Sequence, residues 1–203
     1  MDVGTKRVFL AIALPKSLAS ELLVWVPEGV RPESWPWHIT LRFWPALNPA
    51  SLKALDEALS AIKAPALEIE ICGLGFFKGF KGGPLWAGVK ATPELVNLAQ
   101  KINSLKEPQD SSFSSLKDSG QVLGQGGFSQ KSASKAKARP FRPHITLARL
   151  KKEPEEALKE LVAAKASDPL GSFTAKSLSL WESRLDPRGA IRTLIREYPF
   201  VNL

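Results

Sequence analysis

The chain is poor in the side chains on which most metal, redox and disulfide chemistry depends. Cys72 is its one cysteine, which excludes an internal disulfide and any cysteine-based zinc cluster. His38 and His144 are its only histidines, so no HExxH pair is present, and nothing in the sequence matches an EF-hand, a P-loop or a dinucleotide-binding fingerprint. Any chemistry is expected to proceed without a metal or cofactor. No apolar run approaches the roughly 20 residues that span a bilayer. The early run Val8 to Leu14 is short, stops at Pro15 and has no small-residue cleavage site after it. No secretory signal is therefore expected, and the predicted location is cytoplasmic, with no membrane partner.

What the chain does contain is apolar side chains and positive charge. At 203 residues and 44% apolar content it can build one sizeable core or two small lobes. Its formal net charge of +8 favours a polyanionic partner such as RNA, although a basic solvated surface gives the same number.

Hydrophobic periodicity divides the chain into strand and helix units. Arg7 to Leu14 is a continuous apolar run of strand length, and Pro15 opens a segment with Leu18, Leu22 and Trp25 at helical spacing. Trp37 to Trp44 reads as a second strand. After it, Asn48 offers a cap, Pro49 a first turn, and Leu52, Leu55, Leu59 and Ile62 one apolar face. Leu67 to Ile71 alternates with period two, and Pro84 to Val89 is its expected partner. Thr92 and Pro93 begin a third helix with Leu95, Leu98, Ile102 and Leu105 on its face.

From about Lys106 to Arg139 the pattern dissolves into Ser, Gly, Gln and Lys, which predicts a flexible insertion. Its basic end, Lys131 to Arg139, reads as a solvated linker rather than a phosphate site. Order returns at Phe141. Pro154 is expected in the first turn of a further helix striped by Leu158, Leu161 and Val162. The last two stretches, Ser172 to Leu185 and Ala190 to Phe200, flank the turn-forming Asp186 to Gly189 and predict a hairpin. The glycines of Gly73 to Gly83 resemble a phosphate-cradling loop only loosely, and turn formation is the reading preferred here. Trp35, Trp37, Phe43 and Trp44 are assigned to core or rim packing.

Both histidines open the same tetrapeptide, HITL, in WPWHITLRFW and in FRPHITLARL. A given tripeptide follows a given histidine by accident roughly once in several thousand cases at ordinary residue frequencies. Each copy is followed by a proline and an amphipathic helix, and the two lie about half the chain apart. Two copies are too few for a solenoid. They predict an α+β chain of two related lobes, each an antiparallel sheet packed by helices, with the two sheets meeting at a cleft. Such a chain already carries its cleft and is expected to be a monomer.

In a strand, His and Thr of each HITL share one face, and Ile and Leu share the other. With the apolar pair buried, His38, Thr40, His144 and Thr146 line the space between lobes. One neutral and one protonated imidazole suit paired proton transfer, which phosphodiester hydrolysis requires. The threonine hydroxyls can donate to phosphoryl oxygens, and Arg149 has the planar fork that fits phosphate. Strand parity, however, points Arg149 away from His144 unless a bulge turns it in.

These motifs resemble those of the two-histidine (2H) phosphoesterases, whose signature is a pair of H-x-[ST]-x motifs. Within that group, the chain is similar to the RNA 2′,3′-cyclic phosphodiesterases, also called 2′-5′ RNA ligases for the joining reaction. The likeness extends through RVFLAIALP, WHITLRF, GLGFFKGFKGGPLWAGV, PFRPHITLAR and LWESRLDPRG. It implies a bilobal α+β fold and metal-free hydrolysis of a terminal 2′,3′-cyclic phosphate on RNA or an oligonucleotide to a 2′-phosphate. It implies further that His38 donates a proton, that His144 accepts one, and that Thr40, Thr146 and Arg149 bind phosphate. The chain departs from the family where Phe43 leads to Trp44-Pro45 rather than to F-x-G, and where Lys106 to Arg139 lengthens a connection. Two alternatives stay open: a non-catalytic basic RNA-binding module, and the same reaction on a small cyclic nucleotide.

Overall fold

The computed structural model describes residues 4–77, 82–105, 141–187 and 189–201. The opening apolar run forms β1 (Lys6–Ala13), and Pro15 precedes α1 (Lys16–Leu22), which buries Leu18, Ala19 and Leu22. A 3-10 turn, Leu23–Trp25, ends that unit. The first HITL opens β2 (His38–Leu47). Asn48 then caps α2 (Pro49–Ser60) by accepting the Ser51 N–H at 2.7 Å, with Leu55 and Leu59 buried. Strands β3 (Leu67–Phe76) and β4 (Gly83–Val89) pair antiparallel, and Thr92 caps α3 (Pro93–Asn103) through the Leu95 N–H. The second HITL opens β5 (His144–Leu150), which is followed by α4 (Glu156–Ala164), β6 (Pro169–Ala175), β7 (Ser177–Arg184) and β8 (Ile191–Pro199).

Three local expectations change. Pro154 stands ahead of α4 rather than in its first turn, because Glu155 takes the cap position and its carbonyl accepts the first helical N–H groups. Leu161 is left exposed, since α4 packs on β3 and turns Val162 and Leu158 inward. The stretch from Ser172 to Leu185 is two strands, β6 and β7, divided at Lys176. The predicted insertion at 106–139 lies outside the described residues. Among those residues no helix is long and apolar enough to cross a membrane.

All eight strands join one antiparallel sheet in the order β6-β3-β4-β5-β2-β1-β7-β8. It consists of two four-stranded halves, β2-β1-β7-β8 and β5-β4-β3-β6, and the two sheets foreseen from sequence are continuous at one place, where Ile39 pairs with Ile145. Six strand spacings separate β6 from β7, roughly 30 Å across a flat sheet. Two residue steps of chain from Ala175 to Ser177 span only about 7 Å. The sheet must therefore curl until its margins meet. Backbone bonds close that seam, from Phe200 N–H to the Lys176 carbonyl at 2.8 Å and from Val201 N–H to the Ala64 carbonyl at 2.9 Å.

One core runs through both halves, from Leu10 and Ile12 through Ile39 and Ile145 to Leu85, Leu95 and Ile102. Each such fully buried side chain contributes about 1.5–3 kcal/mol. Arg42 ties the halves together as well. Carried by β2 of the first half, it donates to the carbonyls of Ile102, Asn103 and Leu105 at 2.9, 3.3 and 2.8 Å, at the C-terminal end of α3 in the second. A cation at that end meets both the unsatisfied carbonyls and the negative pole of the helix.

Candidate active site

The Ile39–Ile145 pair places identical motif positions against each other, so a local two-fold passes through it. One register step to either side sets His38 across from Thr146 and Thr40 across from His144. All four lie on the face opposite the buried isoleucines. Ile39, Leu41, Ile145 and Leu147 are at most 5% exposed, whereas both histidines are only half-buried.

Each HITL strand is interrupted at the same point. In β2, Thr40 pairs with Ala11 and Arg42 with Leu10, so Leu41 is an extra residue; in β5, Thr146 pairs with Trp86 and Ala148 with Leu85, so Leu147 is extra. A bulge of this kind puts two consecutive side chains on one face and reverses the parity beyond it. Leu41 and Arg42 both turn inward, as do Leu147 and Ala148. The next residue of each strand, Phe43 in one and Arg149 in the other, consequently returns to the site face. Simple alternation pointed Arg149 away; the bulge is the device that brings it back.

The two imidazoles are held alike but surrounded differently. His38 Nδ1 lies 2.7 Å from the Pro36 carbonyl, and His144 Nδ1 lies 2.9 Å from the Arg142 carbonyl. A carbonyl can only accept, so in each ring Nδ1 carries the hydrogen and Nε2 is the atom left for proton transfer. The Phe9 ring lies 4.6 Å from that of His38 at a 30° tilt. Burial lowers the His38 pKa to about 4; the charges of Arg192 and His144 push the same way, while the Pro36 hydrogen bond and Glu33 oppose. His144 instead meets Phe77 edge-on at 5.2 Å and Trp86 at 6.2 Å.

Glycine shapes that second surface. Trp86 lies across β3 above Gly75, where a Cβ would stand 2.1 Å from the ring. Gly73 and Gly75 thus belong to β3, where the expectation was a turn, and Gly75 leaves the room the indole occupies.

A cleft of about 700 Å³ opens on the site face, lined by His38, Thr40 and Arg149 together with Phe43, Glu33 and Arg192. His144 and Thr146 flank it on the same sheet face. Of the aromatic residues near the first motif, Trp37 and Trp44 are buried, while Trp35 and Phe43 are exposed at the rim. The Arg7 guanidinium sits 5.3 Å over the Phe43 ring. Arg149 Nε donates to Glu33 Oε2 at 3.0 Å, and Arg192 Nη2 to Glu33 Oε1 at 2.6 Å. Sequence reading missed Glu33, Arg192, Phe9, Phe77 and Trp86. Glu33 sits five residues before the first motif with no spacing of its own to mark it, and Arg192 reaches it from 159 positions away.

Known proteins resemble this chain over much of its length. The RNA 2′,3′-cyclic phosphodiesterase of Methanocaldococcus jannaschii is 26% identical over 202 residues, 95% of this chain and 99% of that protein. The Escherichia coli protein of the same name is 26% identical over 151 residues, 71% of this chain and 72% of its own. The structure of E. coli LigT complexed with 3′-AMP superposes with a TM-score of 0.67 at 20% identity, covering 98% of this chain and 99% of that one. The likeness is one of fold, and among the described residues this chain shows the curled antiparallel sheet and four helices of an α+β 2H phosphoesterase. The description of the 2′-5′ RNA ligase superfamily matches residues 28–187, a stretch that takes in both HITL strands and everything between them, and it is to this family that the chain belongs.

Proposed function

We propose that the protein is an RNA 2′,3′-cyclic phosphodiesterase that opens a terminal cyclic phosphate to a 2′-phosphate, using the two halves as one bilobal unit. The observation that carries this reading is the Ile39–Ile145 crossing, which gathers two imidazoles and two hydroxyls on one face. Water attacks phosphorus as the bond to the 3′-oxygen breaks. His144 Nε2 takes the proton from water, and His38 gives one to the departing 3′-oxygen. Thr40 and Thr146 donate to the non-bridging oxygens, and Arg149 presents its guanidinium to the charge that builds there. In 2′-5′ ligation the same displacement runs with the 5′-hydroxyl of a second strand attacking phosphorus in place of water, and His144 takes the proton of that hydroxyl.

His38 is neutral near pH 7, since burial holds its pKa at about 4. To act as the donor it must take up a proton as the anionic phosphate arrives, and an anion in contact with the ring favours that uptake. One observation favours a second assignment. A ring kept neutral in the free protein is suited to be the base, with His144 as the acid.

The deciding experiment is hydrolysis of a short RNA ending in 2′,3′-cyclic phosphate across a pH series, with chelator present and the product end identified. A bell-shaped profile yielding a 2′-phosphate supports the two-histidine reaction. Salt-sensitive RNA binding with an unchanged end at every pH would refute it in favour of a binding module. Competition by a small cyclic nucleotide separates the remaining alternative.

A further inference from the structure

The segment entering β2 carries an acid that this scheme does not use. Glu33 is fixed at four points. Its N–H donates to the Leu147 carbonyl at 2.7 Å, its own carbonyl accepts from Trp37 Nε1 at 2.9 Å, and its two carboxylate oxygens hold Arg149 and Arg192. It reaches Arg149 because Pro32 bridges to Ala148, the residue just past the bulge in β5. The Glu33 and Arg192 side chains are 9% and 7% exposed, that of Arg149 is 69% exposed, and Arg192 Nη1 donates further to the Ser34 carbonyl.

A carboxylate lining a cleft for a phosphate repels the substrate unless its charge is already engaged. Here each oxygen is committed to a guanidinium, and the group of three carries a net positive charge. Among the described residues Arg149 is held by Nε alone, and the edge bearing Nη1 and Nη2 faces no acceptor there. An exposed arginine on a long flexible stem otherwise samples many rotamers.

We infer that Glu33 is a positioning residue for the phosphate-binding arginine. It clamps Arg149 by its inner nitrogen and aims the outer edge into the cleft, while Arg192 anchors the carboxylate and offsets its charge. This inference rests on the role given to Arg149 above.

The test is a double-mutant cycle on hydrolysis of the RNA 2′,3′-cyclic phosphate end. Glu33→Gln has a single amide oxygen and cannot hold both guanidiniums. It is expected to lower kcat/KM about tenfold, the scale seen when a partner orienting a ligand-binding group is lost. Competitive inhibition by inorganic phosphate should weaken in step. In an Arg149→Ala background, itself down by about 100-fold, Glu33→Gln should add no further loss. A merely structural Glu33 would cost the same factor in both backgrounds, and that additivity overturns the proposal. Because Glu33→Gln leaves a buried Arg192 without its acid, the pair Glu33→Gln with Arg192→Gln is run alongside, and thermal melting confirms folding. An Arg149→Ala variant with normal turnover refutes the role of Arg149 itself. A large Arg149 effect beside a silent Glu33→Gln refutes only the positioning.

Discussion

The two HITL strands begin alike and end differently. Both fix a histidine through the carbonyl two residues back, both bury Ile and Leu, and both break step at the leucine. Past the bulge the first strand spends its inward position on Arg42, which binds the end of α3, and its outward position on Phe43. The second spends them on Ala148 and Arg149. A repeated framework thus yields an unsymmetrical site: one side packs His38 beneath Phe9 and keeps it uncharged, and the other offers a cation. The lesson is that the repeat supplies geometry, while the positions just outside it divide the chemical labour.

The sharpest way to break the comparison is to remove each imidazole. His38→Ala and His144→Ala should each lower turnover of the cyclic phosphate by about 100-fold or more. On a p-nitrophenyl phosphodiester, whose leaving group needs no proton, the variant lacking the acid should be nearly as fast as the parent. If His38→Ala is the variant spared, His38 is the donor; if His144→Ala is spared, the roles are exchanged. Equal losses in both would dismiss the division of labour.

Arg42→Ala probes the inward position. It strips three carbonyls of a charged donor and should destabilise the fold by about 2 kcal/mol, read from denaturant midpoints. A variant as stable as the parent would mean that Arg42 does not join the halves. Thr40→Val and Thr146→Val should each reduce kcat/KM about tenfold, the loss expected of one neutral donor to a phosphoryl oxygen. A loss at one threonine alone would show that the substrate sits against a single strand.

The last effect is electrostatic and appears in stability rather than turnover. The folded-state pKa of His38, about 4, lies below the roughly 6.5 of an unfolded chain, so between those values the unfolded state binds more protons. The stability contributed by neutral His38 should fall as pH drops from about 6.5 and level off below about 4. His38→Gln should flatten denaturant midpoints across that window. Proton NMR resolves the question directly, because only two histidines give ring signals, and a His38 midpoint at or above 6.5 would contradict its burial.

Much of this was legible in one dimension. Asn48 and Thr92 announced their helices as caps, and the doubled HITL announced two related halves with its four polar groups on the face opposite the buried isoleucines. Parity even identified the problem with Arg149. What it could not supply was the bulge, because Leu147 and Ala148 are ordinary strand residues and the extra position is decided by pairing with β4. Glu33 was invisible for a related reason. Its partners are 116 and 159 residues away, and contacts at that range leave no local period. The break at Lys176 was hidden because the flanking residues all favour strand, and only the curl of the sheet requires the chain to change halves there.

That passage at Lys176 has a bearing on biosynthesis. The half built from β3 to β6 is inserted whole between β2 and β7, so the other half is made first and last. As the chain leaves the ribosome, the nested half can pair all four of its strands while β1 still presents an open hydrogen-bonding edge, and that edge stays open until β7 emerges. From β2 until β7 the nascent chain therefore carries its most apolar strand half paired, and a chaperone or the ribosome surface has its longest opportunity there.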